Sequence, residues 1–130
     1  MDDKRTQIRF RIPKGRLKYK HDIGFTAFSQ YEETGDLLDI SKSGAGFLST
    51  KPLYLQDLIK IKILIPGEQN LVLRGQVKWV VANKVSGRQR VGMQFAPYGN
   101  RRDYNAPNKL ARLSHLSEIY HRANRDTGHE

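Results

Sequence analysis

The sequence predicts a mainly β chain: a six-stranded antiparallel β-barrel followed by one C-terminal α-helix. Three observations carry that expectation. Between residues 17 and 95, short apolar runs alternate with charged residues at period two, and turn residues punctuate them at close intervals. From Pro107 onward the apolar period becomes helical. An open sheet of six short strands would expose two unpaired edges, and closing it into a barrel removes both.

Taken in order, residues 4–20 carry eight Lys or Arg and no acid, so the segment repels itself until an anion neutralises it. Residues 1–15 are read as a basic N-terminal arm, mobile when free, in which Ile8, Phe10 and Ile12 alternate with Arg9 and Arg11. The barrel spans residues 16–98. Its first strand alternates Leu17 and Tyr19 with Arg16, Lys18 and Lys20. Ile23, Phe25, Ala27 and Phe28 fit a continuing strand, and residues 30–35 a polar turn. The second strand covers 37–40, a turn runs from Ser41 to Gly44, and a third short strand covers 46–49 before Pro52 ends it.

Residues 58–65 set Ile59, Ile61, Ile63 and Ile65 on one face and Lys60 and Lys62 on the other, and Pro66-Gly67 then turns the chain. The strand over 71–81 places Leu71, Leu73, Gly75, Val77 and Trp79 on one inward side. After a hairpin at 83–87, Val91, Met93 and Phe95 form the inner face of the last strand. The helix, over 105–124, aligns Leu110, Leu113, Leu116 and Tyr120 with Ile119 at the flank. Asn105 suits its N-cap and Pro107 its first turn. It is expected to cover one end of the barrel, leaving 125–130 as a polar tail.

With 130 residues the chain is one domain, able to bury a modest core. Without cysteine it has no disulfide and no thiolate metal site. No apolar run reaches membrane-spanning length and no signal-peptide core is visible, so a cytoplasmic protein without membrane insertion is expected. A formal charge of +10 points to an anionic partner. Enzyme chemistry fares badly. His21, His115, His121 and His129 lack metal-ligand spacing, and no nucleophile, base and oxyanion-donor set is visible. Neither a catalytic or metal site nor a cofactor is expected.

One stretch stands out for binding. In Asp39-Ile40-Ser41-Lys42-Ser43-Gly44-Ala45-Gly46, an apolar run ends in a tight turn where Gly44 and Gly46 permit positive φ. The plain reading of Asp-x-Ser-x-x-Gly is an Asx or Ser turn closing a hairpin. The binding reading uses the Asp39 carboxylate to accept two parallel N–H bonds and the Ser41 hydroxyl to donate or accept. Upstream, Arg5 and Arg9 form an Arg-x-x-x-Arg pair. Further on come Gly75-Gln76-Val77-Lys78-Trp79 and Val91-Gly92-Met93-Gln94-Phe95.

In this order the four segments resemble the PilZ domain, a bacterial family of receptors for the second messenger cyclic di-GMP, over residues 4–96. The resemblance implies a PilZ-type barrel that binds cyclic di-GMP through Arg5, Arg9, Asp39, Ser41 and Gly44, and changes conformation to regulate an unidentified protein partner. Lys4 and Thr6 stand beside Arg5 where many members place an extra arginine, which bears on whether one or two nucleotides bind. Trp79 matches a tryptophan that lies against a base in some members, and equally fits a core or barrel-mouth aromatic. The chemistry suits guanine, whose Watson–Crick edge offers N1–H and NH₂ to Asp39 and whose Hoogsteen edge offers O6 and N7 to Arg9. Arg5 suits a phosphate or a purine face. Arg11, Arg16, Lys18, Lys20 and Lys42 read as solvated charges.

Two rivals stay open. One is a nucleic-acid-binding basic β-barrel, which charge favours and the inward placement of Trp79, Phe47 and Phe95 opposes, leaving Phe10, Phe25 and Tyr31 as stacking candidates. The other is a PilZ-like protein-interaction module that does not bind nucleotide.

Overall fold

A computed structural model of the chain describes residues 8–23, 31, 33–83 and 85–127. Six strands, β1 (Arg16–His21), β2 (Glu33–Ile40), β3 (Gly44–Ser49), β4 (Leu58–Leu64), β5 (Leu71–Ala82) and β6 (Gln89–Phe95), precede helix α1 (Pro107–Thr127). They close into an antiparallel barrel in the order β1-β2-β3-β6-β5-β4, with β4 pairing back to β1. The expected fold is therefore observed. β2 begins at Glu33, inside the stretch expected to be a polar turn, because Glu33, Thr34 and Gly35 pair with Tyr19, Lys18 and Leu17 and so satisfy their backbone groups in the ladder. Phe25, Ala27, Phe28 and Gln30 lie outside the described residues.

The period-two pattern sorts the side chains as its hydrophobicity requires. Leu17, Ile59, Ile61, Ile63, Leu71, Leu73, Val77 and Phe47 are fully or almost fully buried inside the barrel, while Lys60 and Lys62 stand on its outside. Leu113 and Leu116 of α1 join this core, with Tyr120 packed against it, so the helix closes one end of the barrel. Arg112 fixes it there by donating to the Gln69 and Asn70 carbonyls in the β4–β5 turn, at 2.8 and 3.2 Å. Pro107 occupies the first helical position.

Asn105 is not the helix cap. It is 4% exposed, and its side-chain amide mimics a strand by accepting from the Arg74 N–H at 2.9 Å and donating to the Arg74 and Ala96 carbonyls at 3.1 Å. The carboxamide accepts once through its oxygen and donates twice through its NH₂, pinning the loop over 96–105 to β5, whereas a hydroxyl has only one proton to donate.

Phe10 and Ile12, in the segment read as the basic arm, are buried at 2% and 3% exposure. Phe10 is stitched to Ile40 by two antiparallel backbone bonds of 2.9 and 3.0 Å. Phe10 therefore offers no face to a stacked base.

Candidate functional site

Two irregularities in the ladder create the site. Strict alternation from the buried Leu37 would turn Asp39 inward, yet the β2–β3 register shifts between Leu37 and Asp39, so that Asp39 stands opposite Gly46 on the outer face and Ile40 takes the core position. The β5–β6 register shifts in the same way between Val77 and Trp79, placing Trp79 opposite Gly92. The expectation that Trp79 faces inward with Val77 is thus overturned: it is 43% exposed, because the extra residue at the bulge inverts the alternation. Phe47 and Phe95 are buried as expected.

Gly46 pairs with Gly92, so Asp39, Gly46, Gly92 and Trp79 form one row across β2, β3, β6 and β5. The row is about 14 Å wide, three strand spacings. The two glycines are a floor. A methyl group on Gly92 would come within 2.1 Å of the Trp79 ring, and one on Gly46 within 3.2 Å of an Asp39 carboxylate oxygen. Gly44 and Gly46 do not use positive φ, which among the described glycines belongs to Gly67 and Gly87. Space explains Gly44 instead, since its Cβ would sit 2.3 Å from the Met93 carbonyl oxygen.

Beside this row lies a hollow of about 810 Å³, lined among others by Arg11, Arg16, Asp36, Asp39, Leu48 and Arg90. Arg9 donates from Nη1 to Asp39 Oδ1 at 2.7 Å, so two residues far apart in sequence meet at the hollow's edge. Asp36 is held by Arg16 Nε at 3.2 Å and by Arg88 Nη2 on its other oxygen, while Arg88 Nε is buried without an acceptor. The Arg90 guanidinium lies 5.8 Å from the centre of the Trp79 ring.

Ser41 is fully buried. Its N–H donates to the Gly44 carbonyl at 2.8 Å and its Oγ accepts from the Ser43 N–H at 3.2 Å, which draws the turn together. The Tyr98 hydroxyl ties the same turn to the loop after β6 by donating to the Lys42 carbonyl at 2.5 Å. Burial pushes this phenol up to about 12. Of the site residues expected from sequence, the structure brings Arg9 and Asp39 into contact, sets Trp79 at the other end of the row, and folds Ser41 and Gly44 into the turn. Arg5 lies outside the described residues. No sequence pattern marks Asp36, Arg88 or Arg90. The pairing of Asp36 with Leu48 and of Leu48 with Arg90 puts Asp36 and Arg90 on one face, and the ion pair with Asp36 brings Arg88 there.

The PilZ domain family model matches residues 3–112, most of the chain. The chain belongs to the PilZ domain family. No curated protein matches it. Among solved structures, the Bacillus subtilis inhibitor of motility MotI/DgrA is similar at 12% identity and TM-score 0.66, over 96% of this chain and 53% of that one. The structure of a K. pneumonia MrkH–c-di-GMP complex is similar at 17% and 0.64, over 93% and 54%. The PilZ domain with c-di-GMP of YcgR from Escherichia coli is similar at 14% and 0.64, over 94% and 95%. The chain spans about half the length of the first two. These neighbours share the fold.

Among the described residues no group of three His, Asp or Glu could hold a metal ion, and no helix is long and apolar enough to cross a membrane.

Proposed function

We propose that this PilZ domain is a cyclic di-GMP-binding regulator and that the nucleotide lies on the outer face of the barrel, along the row from Asp39 to Trp79. The observation that carries the reading is the meeting of Arg9 with Asp39 beside a glycine floor that ends in an exposed tryptophan. Two of the similar structures, of MrkH and of the YcgR domain, were solved with c-di-GMP.

In this reading the Asp39 carboxylate accepts the guanine N1–H and NH₂, while Arg9 donates to O6 and N7. Both groups already face one another, so the ligand replaces a partly exposed ion pair with charge-assisted bonds to a base edge. Trp79 offers a face for a purine. Ser41 and Gly44 act by shaping the turn, and Arg5 by contacting a phosphate or a base face. Rearrangement of the basic arm as Arg9 turns from Asp39 to the nucleotide is the conformational change, read by a protein partner in the cytoplasm, and the protein acts as an adaptor without catalysis of its own.

The exposure of Trp79 also favours a second reading, nucleic-acid binding, as does a row of directly opposed cations, Lys20, Lys60 and Arg74, across β1, β4 and β5. Against it, Phe10, Phe47 and Phe95 are buried and provide no run of stacking faces beside Trp79.

Calorimetric titration with cyclic di-GMP tests the proposal. The wild-type chain is expected to bind, and Arg9→Ala and Asp39→Ala each to bind at least tenfold more weakly with unchanged circular dichroism. Absence of binding by the wild type would refute the reading.

A further inference from the structure

Around the hollow, the guanidinium groups divide by what holds them. Arg9 is committed to Asp39, and Arg16 and Arg88 are committed to Asp36. Arg90 differs. It lines the hollow with Asp36 and Asp39, but it lies over the Trp79 ring, and among the described residues no carboxylate lies within ion-pair distance of it. It stands two residues before Gly92 on β6, hence on the same outer face, between Leu48 of β3 and Val81 of β5. That position is one step from the glycine floor. A guanidinium near an aromatic ring is held through its face, which leaves the in-plane N–H groups able to donate as a fork.

We infer that Arg90 is a phosphate-binding residue of this site, donating two parallel hydrogen bonds to the non-bridging oxygens of one phosphate of the cyclic dinucleotide. The inference rests on the cyclic di-GMP reading above and adds a contact to it. Two features support phosphate over a base edge. Among the described residues no acid pairs with Arg90, so its full charge is available to an anion, whereas a guanine edge is neutral; and Arg90 stands one step along β6 from Gly92, in the row Asp36, Leu48, Arg90 and Val81 that flanks the row from Asp39 to Trp79, beside bases laid along that strip. The Trp79–Arg90 pair then acts as one unit, with the ring holding the guanidinium and itself facing a base.

The chain has a single tryptophan, Trp79, so its emission reports on this site and on no other. The full chain and the variants Arg90→Ala, Arg90→Lys and Arg101→Ala are titrated with cyclic di-GMP, followed both by calorimetry and by Trp79 emission, with thermal midpoints recorded without ligand. Arg90→Ala is expected to weaken binding at least tenfold with an unchanged midpoint. Arg90→Lys should recover part of the loss, since it keeps the charge but not the fork, and Arg101→Ala should match the wild type. Should Arg90→Ala not fold, Arg90→Gln decides by the same tenfold criterion. Wild-type affinity in the neutral variant, with binding confirmed in the parent, overturns the role of Arg90 and leaves the nucleotide reading standing. No heat and no Trp79 response in the wild type overturns both.

Discussion

Asp39 and Trp79 reach the same outer face of the barrel by the same device, a one-residue register shift just before each of them, in β2 and in β5. Each bulge turns outward a side chain that strict alternation would bury, and between the two only glycines intervene. A flat strip with a carboxylate at one end and an aromatic ring at the other is what such a pair of bulges builds.

The strip depends on Gly92. Because a methyl group there would meet the Trp79 ring at 2.1 Å, Gly92→Ala is expected to displace the indole while leaving the barrel paired. Trp79 emission in the free protein should shift and cyclic di-GMP affinity should drop at least tenfold. Gly67→Ala, with nothing within 4 Å, is the comparison: its φ of 76° adds backbone strain of about 1–2 kcal/mol and no effect on binding. Emission and affinity both unchanged in Gly92→Ala would show that the ring does not use this floor.

Next to Arg9, Phe10 stacks on Tyr120 of α1 with ring centres 6.4 Å apart and planes 8° from parallel. The segment that carries Arg9 is therefore held by the helix as well as by Ile40. Phe10→Ala should cost about 3–5 kcal/mol of stability, and a double-mutant cycle with Tyr120→Ala should give a coupling of about 0.5–1.5 kcal/mol in urea unfolding. Tyr120→Ala alone should also weaken nucleotide binding, since Arg9 loses part of its support. Unaltered affinity would separate the helix from the site.

Salt and base identity distinguish the two binding readings. A polyanion releases condensed counterions in proportion to the phosphates neutralised, so its affinity falls steeply as salt rises, whereas a ligand with two phosphates has little such atmosphere. Cyclic di-GMP affinity should fall shallowly between low and physiological salt. Cyclic di-AMP should bind at least tenfold more weakly, because adenine leaves the Asp39 and Arg9 groups unpaired at about 1–3 kcal/mol each. An oligonucleotide that outcompetes cyclic di-GMP at physiological salt would favour the nucleic-acid reading.

Tyr98 gives a pH signature. Burial raises its pKa from 10.0 to about 12, so in this range the folded state holds a proton that the unfolded chain has lost. Its contribution is fully present below pH 10 and disappears as pH rises through 12. The stability of the wild type relative to Tyr98→Phe should accordingly be constant up to about pH 10 and decline from there to 12, measured by urea unfolding. The Tyr98 hydroxyl also donates to Lys42 in the turn after Asp39, so the variant should lose stability at neutral pH as well.

The barrel and the contents of its core are legible in the residue pattern alone. Isoleucines at 59, 61 and 63 and the apolar positions of residues 71–77 alternate with charge, and burying one face of such a strand leaves few other solutions. The Arg-x-x-x-Arg pair and the Asp-x-Ser-x-x-Gly turn, which only together and in that order resemble a PilZ domain, also mark Arg9 and Asp39. Only the folded barrel sets which way Asp39 and Trp79 point, makes Asn105 clip a loop to β5 instead of capping α1, and gathers Asp36, Arg88 and Arg90 beside the row from Asp39 to Trp79. A bulge leaves no mark in the period of one strand, since it arises from the pairing of two. The row from Asp39 to Trp79 exists only once four strands are laid side by side, and the energy that fixes their register comes from the whole barrel.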